Sequence, residues 1–124
     1  DTLDDINQRL AAQSSNAGHE FDNLQSNSEA DLIDRLHLAR QDGTAFIIVN
    51  FGGFTHTSIS LRDAMLATEL PFIEVHLSNL YSREDYRRKS YFSDIAIGSI
   101  VGMGAQGYEL ALQVAIKKLA KSND

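Results

Sequence analysis

The chain has 124 residues, of which 43% are hydrophobic and 23% charged, with a net charge of −6 and no cysteine. This length predicts one domain over residues 1–124, and the negative charge argues against a nucleic-acid-binding surface. The absence of thiols excludes disulfides and thiolate metal sites and suits the reducing cytoplasm, while no apolar run reaches the roughly 18 residues of a membrane span.

The first third of the chain is predicted to form two helices with a short strand between them. Apolar residues at helical spacing indicate a helix over 3–13, with Thr2 as its N-cap. Residues 19–25 are a candidate strand. An N-cap within 26–29 opens a second amphipathic helix, which Gly43 ends.

Strands and helices alternate in the rest of the chain. The uninterrupted apolar run 45–49 is typical of a strand buried on both faces of a parallel sheet. The remaining predicted elements are a polar loop at 50–58, a helix at 59–68, a strand at 71–76, a long polar connection at 77–94, an apolar run at 95–103 and a helix at 106–120. This order predicts an α/β fold with a parallel sheet, in the flavodoxin-like doubly wound arrangement with helices on both faces.

The strand at 71–76 carries a candidate catalytic pair. Glu74 and His76 are two residues apart and therefore point to the same face of the sheet. A carboxylate beside an imidazole can orient the ring and hold its proton, as a general acid or base requires. The alternative is a histidine that is simply hydrogen-bonded near a sheet edge, and the sequence leaves both interpretations open.

Other polar residues are predicted to lie at the carboxyl ends of the strands, where ligands bind such sheets. Arg83 and Arg87 are four residues apart and would share a face if their segment were helical. Two guanidiniums near a histidine suggest an anionic, carboxylate-bearing substrate. The alternative is a solvated basic face paired with neighbouring acids. His56, in the loop 50–58, either binds a ligand or only stabilises a turn.

The sequence offers no recognisable cofactor site. Its four histidines lack zinc-site spacing, its carboxylates do not cluster, and no phosphate-binding or dinucleotide-binding glycine motif occurs. No nucleophile elbow is present either. We therefore expect acid–base chemistry without a metal or an organic cofactor.

Four motifs resemble those of the type II 3-dehydroquinate dehydratases. They are QSNSEADLID at 25–34, FTHTSISLRD at 54–63, IEVHLSN at 73–79 and GAQGY at 104–108. The resemblance implies a flavodoxin-like subunit, trimers assembled into a dodecamer and no cofactor. It also implies conversion of 3-dehydroquinate to 3-dehydroshikimate by anti elimination through an enolate, a step of the shikimate pathway to the aromatic amino acids.

The resemblance also implies roles for individual residues. His76 would be the general acid, Glu74 would orient it, and Asn50 would hold a water that stabilises the enolate. The implied binding residues are His56 and Arg87 for the ring hydroxyls, Ser78 and the backbone of Leu77 for the carboxylate, Arg83 for support of the loop, and Asp63 for the site of a neighbouring subunit.

The chain departs from the family pattern at its beginning. The family's first strand and the lid that carries a tyrosine base and its arginine have no counterpart here, so we expect that the chain is a fragment. The two strands that flank the family's first strand would then lack a common partner in the sheet. Phe51 and Tyr81 also differ from the common family residues and could alter substrate fit. An alternative is a catalytically inactive relative that binds a cyclic polyol carboxylate; a flavodoxin relative that binds FMN is a weaker one.

Overall fold

The computed structural model describes residues 1–122, with side chains through residue 120. In that part of the chain the elements are α1 (Leu3–Asn16), α2 (Glu29–Ala39), β1 (Ile47–Val49), α3 (Ile59–Thr68), β2 (Phe72–His76), β3 (Gly98–Val101) and α4 (Gln106–Ser122). Short 3₁₀ helices lie at Gly52–His56, Leu80–Ser82 and Asp85–Arg88. Within residues 1–122, no helix combines the length and the apolar character that a membrane crossing requires.

Side-chain caps fix the beginnings of three helices. Thr2 accepts a hydrogen bond from the amide of Asp5, whose carboxylate accepts one from the amide of Thr2, so that α1 opens with a capping box. Ser28 caps α2 and Ser58 caps α3 through their hydroxyls. These contacts satisfy amides that the helices cannot pair internally. The predicted caps and the predicted bounds of α3 are confirmed.

The three strands form one parallel sheet in the order β1–β2–β3. The central strand, β2, is buried along its whole length. Its register aligns Val49 of β1, Glu74 of β2 and Ser99 of β3 in one row across the sheet. This row passes through the predicted site.

Helices cover both faces of this sheet, as predicted. On one face, Phe72 of β2 packs in a core with Leu36 of α2 and Leu61 of α3. On the other face, Val75 packs against Ala111 of α4, and α1 packs on α4. Because successive strand residues alternate between faces, the α2–α3 face is also the one to which Glu74 and His76 point. The α/β class with a parallel sheet is confirmed.

The predicted strand at 19–25 is wrong. The segment belongs to no ladder, and β1 pairs only with β2 among the described residues. A cavity of about 1250 Å³ separates the segment from β1, and α1 and α4 also line it. Phe21 nevertheless packs against the cluster of Ile6, Leu10 and Leu112. With no neighbouring strand to supply hydrogen bonds, one apolar anchor orders the segment without making it a strand.

Arg83 and Arg87 share no helical face, because the condition for it, one helix through both residues, is not met. Arg83 has extended backbone between two short 3₁₀ segments, and Arg87 lies in the second of them. Asn79 accepts a hydrogen bond from the amide of Tyr81 through its side chain, which is a local turn that competes with helix formation. The connection is therefore a series of turns.

The core on the α2–α3 face generates a stability prediction. Leu61 is fully buried, whereas Leu66 on the same helix is 48% exposed. Leu61→Ala should lower the free energy of unfolding by roughly 2–5 kcal/mol, because it removes buried methyl groups and leaves a cavity. Leu66→Ala should change it by less than about 0.5 kcal/mol. Urea unfolding measures both; equal losses would contradict the packing described.

Candidate active site

The predicted pair on β2 forms a direct, buried hydrogen bond. Nε2 of His76 lies 2.7 Å from Oε2 of Glu74, and the two residues are 4% and 2% exposed. Nδ1 of His76 has no hydrogen-bond partner among the side chains described. The strand alternation that suggested this pair therefore brings the two groups into contact and leaves one ring nitrogen available.

Three serine hydroxyls donate to the same carboxylate. Ser90 donates to Oε2 at 2.5 Å, while Ser93 and Ser99 donate to Oε1 at 2.5 and 2.8 Å. Burial alone would raise the pKa of Glu74, but the hydrogen bonds from His76 and the serines outweigh it and lower the pKa to about 2. The carboxylate is therefore an anion near neutral pH and accepts four hydrogen bonds, so Nε2 of His76 carries a proton toward it.

His56 lies beside this pair. Its ring is nearly parallel to that of His76, with 6.4 Å between the ring centroids. Nδ1 of His56 lies 2.7 Å from the backbone carbonyl of Lys89, to which it donates, since a carbonyl only accepts. This bond fixes the ring and leaves Nε2 for a ligand, so His56 both stabilises the loop and borders the site.

The arginines occupy the outer wall of the site. Arg87 is ion-paired with Glu84, and its guanidinium lies 5.0 Å from the ring centroid of Tyr86, which in turn contacts His56 edge-on. The hydrogen bond to Glu84 raises the pKa of Arg87. Arg83 donates to the hydroxyl of Ser78 at 3.5 Å. The pair of Arg87 with Glu84 fits the alternative of a paired basic face, whereas Arg83 contacts the candidate binding residue Ser78.

Other candidate residues lie at the site's edge or apart from it. Asn50 follows β1, donates to the hydroxyl of Tyr108 at 2.9 Å and accepts from the amide of Gly52. The carbonyl of Leu77 accepts from the amide of Gly104. Asp63 is exposed on α3, and its side chain makes no hydrogen bond or ion pair in the part of the chain that the structure describes.

Sequence reasoning missed the three serines. Ser99 interrupts an otherwise apolar strand and lies directly opposite Glu74 in the sheet, so its hydroxyl was a usable signal once the register was known. Ser90 and Ser93 lie on the connection between β2 and β3, and no local pattern distinguishes them from other loop serines.

Comparison with known proteins gives consistent matches along the chain. The family model described as class II dehydroquinase matches residues 1–116. The 3-dehydroquinate dehydratase of Chromobacterium violaceum is 58% identical over 120 residues, which are 97% of this chain and 77% of that protein. The 3-dehydroquinate dehydratase 1 of Pseudomonas aeruginosa is 56% identical over 120 residues, which are 97% of this chain and 82% of that protein.

A solved structure extends the similarity to the fold. The crystal structure of the type II dehydroquinase from Butyrivibrio crossotus superposes with a TM-score of 0.88 at 32% identity. The match covers 92% of this chain and 79% of that one.

The low pKa of Glu74 predicts an acid-dependent loss of stability. Its folded-state pKa of about 2 lies below the ordinary 4.5, so its contribution is complete above pH 4.5 and is lost as the pH falls toward 2. The loss should amount to about 3 kcal/mol in the free energy of unfolding. Glu74→Gln should remove this part of the slope between pH 5 and pH 2, measured by urea unfolding.

A matched control separates this effect from general acid denaturation. Glu20 is exposed, so Glu20→Gln should leave the slope of the parent chain nearly unchanged. If the free energy of unfolding falls with pH equally in the parent and in Glu74→Gln, Glu74 is not a buried anion in the folded chain.

Proposed function

The chain belongs to the class II dehydroquinase family, and we propose that the pocket around His76 carries the acid step of its reaction. The activity is that of a 3-dehydroquinate dehydratase, a hydro-lyase that converts 3-dehydroquinate to 3-dehydroshikimate and water. The observation that carries the proposed site is the buried hydrogen bond between Glu74 and His76, with Nδ1 left available.

In the proposed mechanism the elimination has two steps. A base removes a proton from the carbon next to the ketone, and the electron pair forms an enolate. The enolate then collapses, the carbon–oxygen bond breaks on the opposite face of the ring, and Nδ1 of His76 gives its proton to the departing hydroxyl. Water leaves and the ring remains neutral, while the Glu74 carboxylate stabilises the cationic form of the ring before the transfer.

The surrounding residues are proposed to bind the substrate and the enolate. His56 has Nε2 available beside His76, and Arg87 borders it through Tyr86, so the two suit the ring hydroxyls. Ser78 and the backbone of Leu77 follow β2 directly and suit the carboxylate, with Arg83 as support. Asn50, at the end of β1, suits the water that contacts the enolate oxygen.

Assembly and location are part of the proposal. Asp63 is exposed and unpaired among the described side chains, which suits a residue that reaches a neighbouring subunit's site. We propose trimers assembled into a dodecamer, a single domain over residues 1–124 and a cytoplasmic enzyme of the shikimate pathway that uses no cofactor. None of the four tyrosines of this sequence matches the family's base.

A second candidate function rests on the lack of a tyrosine that matches the family's base. A relative without the base could bind a cyclic polyol carboxylate and not turn it over. The buried Glu74–His76 pair disfavours this candidate, because binding alone gives no reason to bury an imidazole against a carboxylate anion.

The proposed role of His76 predicts a large rate effect. His76→Ala should lower kcat roughly 10²–10⁴-fold, because general acid catalysis contributes about that much. The product is a conjugated enone, so the rise in ultraviolet absorbance after addition of 3-dehydroquinate measures the rate. His37→Ala, on the exposed side of α2, should keep the parent rate.

The outcomes separate the candidates. A rate retained in His76→Ala would contradict the role of His76. An inactive parent that still binds 3-dehydroquinate in calorimetry would favour the binding protein instead.

A further inference from the structure

The carboxylate of Glu74 has more hydrogen-bond donors than an orienting residue needs. One donor is His76 on its own strand, and the other three are hydroxyls from β3 and from the connection before β3. Each carboxylate oxygen receives two of the four bonds. The proposed mechanism uses only the bond to His76, and the three hydroxyls remain to be explained.

We propose that Ser90, Ser93 and Ser99 form a hydroxyl cradle that holds Glu74 as an anion in one orientation, and thereby keeps the proton of His76 on Nε2 and Nδ1 available to the substrate. The serines are positioning residues, because they act on the reaction through Glu74 and His76. This inference rests on the proposed acid role of His76.

Ser90 connects the cradle to the backbone of the loop. Its hydroxyl donates to Glu74 and accepts from the amides of Phe92 and Ser93, at 2.9 and 3.2 Å. A hydroxyl has one donor and two acceptor lone pairs, so these contacts use its full capacity. Its single proton is therefore directed to Glu74. By accepting from the amide of Ser93, the Ser90 hydroxyl also orients Ser93, which supplies the next hydroxyl of the cradle.

Two further anchors hold this loop against the site. Phe92 is fully buried, and its ring lies 4.7 Å from that of Phe51. Arg62 of α3 donates to the carbonyl of Tyr91 at 2.8 Å and to the carboxylate of Asp94 at 2.6 Å. The serines are thus fixed from both sides of the loop, and Ser99 is fixed by the strand pairing.

The cradle stabilises the deprotonated state of the Glu74 carboxyl group. A carboxylate that accepts from three hydroxyls is stabilised as an anion, and a protonated carboxyl would lose one of these acceptor sites. Without the hydroxyls, the negative charge of Glu74 would be concentrated on its bond to His76. The imidazolium would then be held more tightly by the carboxylate and would transfer its proton to the departing hydroxyl less readily.

The charged groups around the cradle act on the same equilibrium. His56 lies 6.4 Å from His76 between ring centroids, on the loop after β1. Asp94 is close enough for Glu74 to raise its pKa slightly, but the hydrogen bond from Arg62 dominates and lowers the pKa of Asp94. From β1, the residue opposite Glu74 is Val49, which is apolar. None of these groups donates to Oε1 of Glu74. A change in the hydrogen bonding of Oε1 therefore reports on Ser93 and Ser99 alone.

The decisive variant removes both donors of one oxygen. Ser93→Ala with Ser99→Ala leaves Oε1 of Glu74 without a hydroxyl partner, while Ser90 and His76 still hold Oε2. Each single variant should lower kcat by less than about threefold, and the double variant by roughly 3–30-fold with KM within about twofold, since a general acid contributes 10²–10⁴ in all. The alkaline limb of the kcat profile should move to higher pH.

A readout that needs no activity accompanies the kinetics. Carboxyl ¹³C NMR should show the pKa of Glu74 rising in the double variant, from about 2 toward the ordinary 4.5. The matched control is Ser93→Thr with Ser99→Thr, which keeps both hydroxyls and should keep both the kcat profile and the titration of the parent. Ser15→Ala, at the exposed end of α1, should also change neither.

The combined results are decisive even where one assay fails. An unchanged Glu74 titration in a folded double variant would overturn the cradle, whether or not the parent dehydrates 3-dehydroquinate. A lower kcat with an unmoved alkaline limb would reduce the serines to a structural role and also overturn it. If the double variant does not fold, an unmoved titration in both single variants overturns the cradle, and a smaller rise in each supports it.

Discussion

The hydrogen bond between Glu74 and His76 is the interaction on which the site depends. A carboxylate removed from water is costly unless its charge is paired and its oxygens accept hydrogen bonds. Here four donors meet that requirement, and one of them is the imidazole itself. The same contacts that stabilise the buried anion therefore determine the orientation of the His76 ring and the position of its proton.

The sheet makes this arrangement possible. In β2, Ile73 and Val75 pack toward α4, while Phe72 packs toward α2 and α3 on the face shared with Glu74 and His76. One short strand thus contributes to the cores on both sides and presents the Glu74–His76 pair at its carboxyl end, where parallel sheets place their ligand sites. The position of Ser99 opposite Glu74 follows from the same register.

Much of this could be predicted from sequence where a local rule applies. Strand alternation predicted the Glu74–His76 pair, and side-chain capping predicted the start of α3 at Ser58. The segment 19–25 was mispredicted because its apolar residues do anchor it, but strand formation needs a partner that local sequence does not reveal. Whether Arg83 and Arg87 share a helical face was left conditional on a helix, and the turns that Asn79 and its neighbours favour decide against it. The contacts of Ser90 and Ser93 depend on how a long loop returns to the sheet, which no spacing encodes.

The central claim is that the anionic Glu74 keeps the proton of His76 on Nε2. Ring ¹⁵N NMR of His76 at a pH where the imidazole is neutral tests it most directly. We expect a protonated Nε2 that correlates with its own hydrogen and an unprotonated Nδ1. A neutral ring with its proton on Nδ1 would contradict this arrangement, because Nε2 would then face a carboxylate with no proton to share.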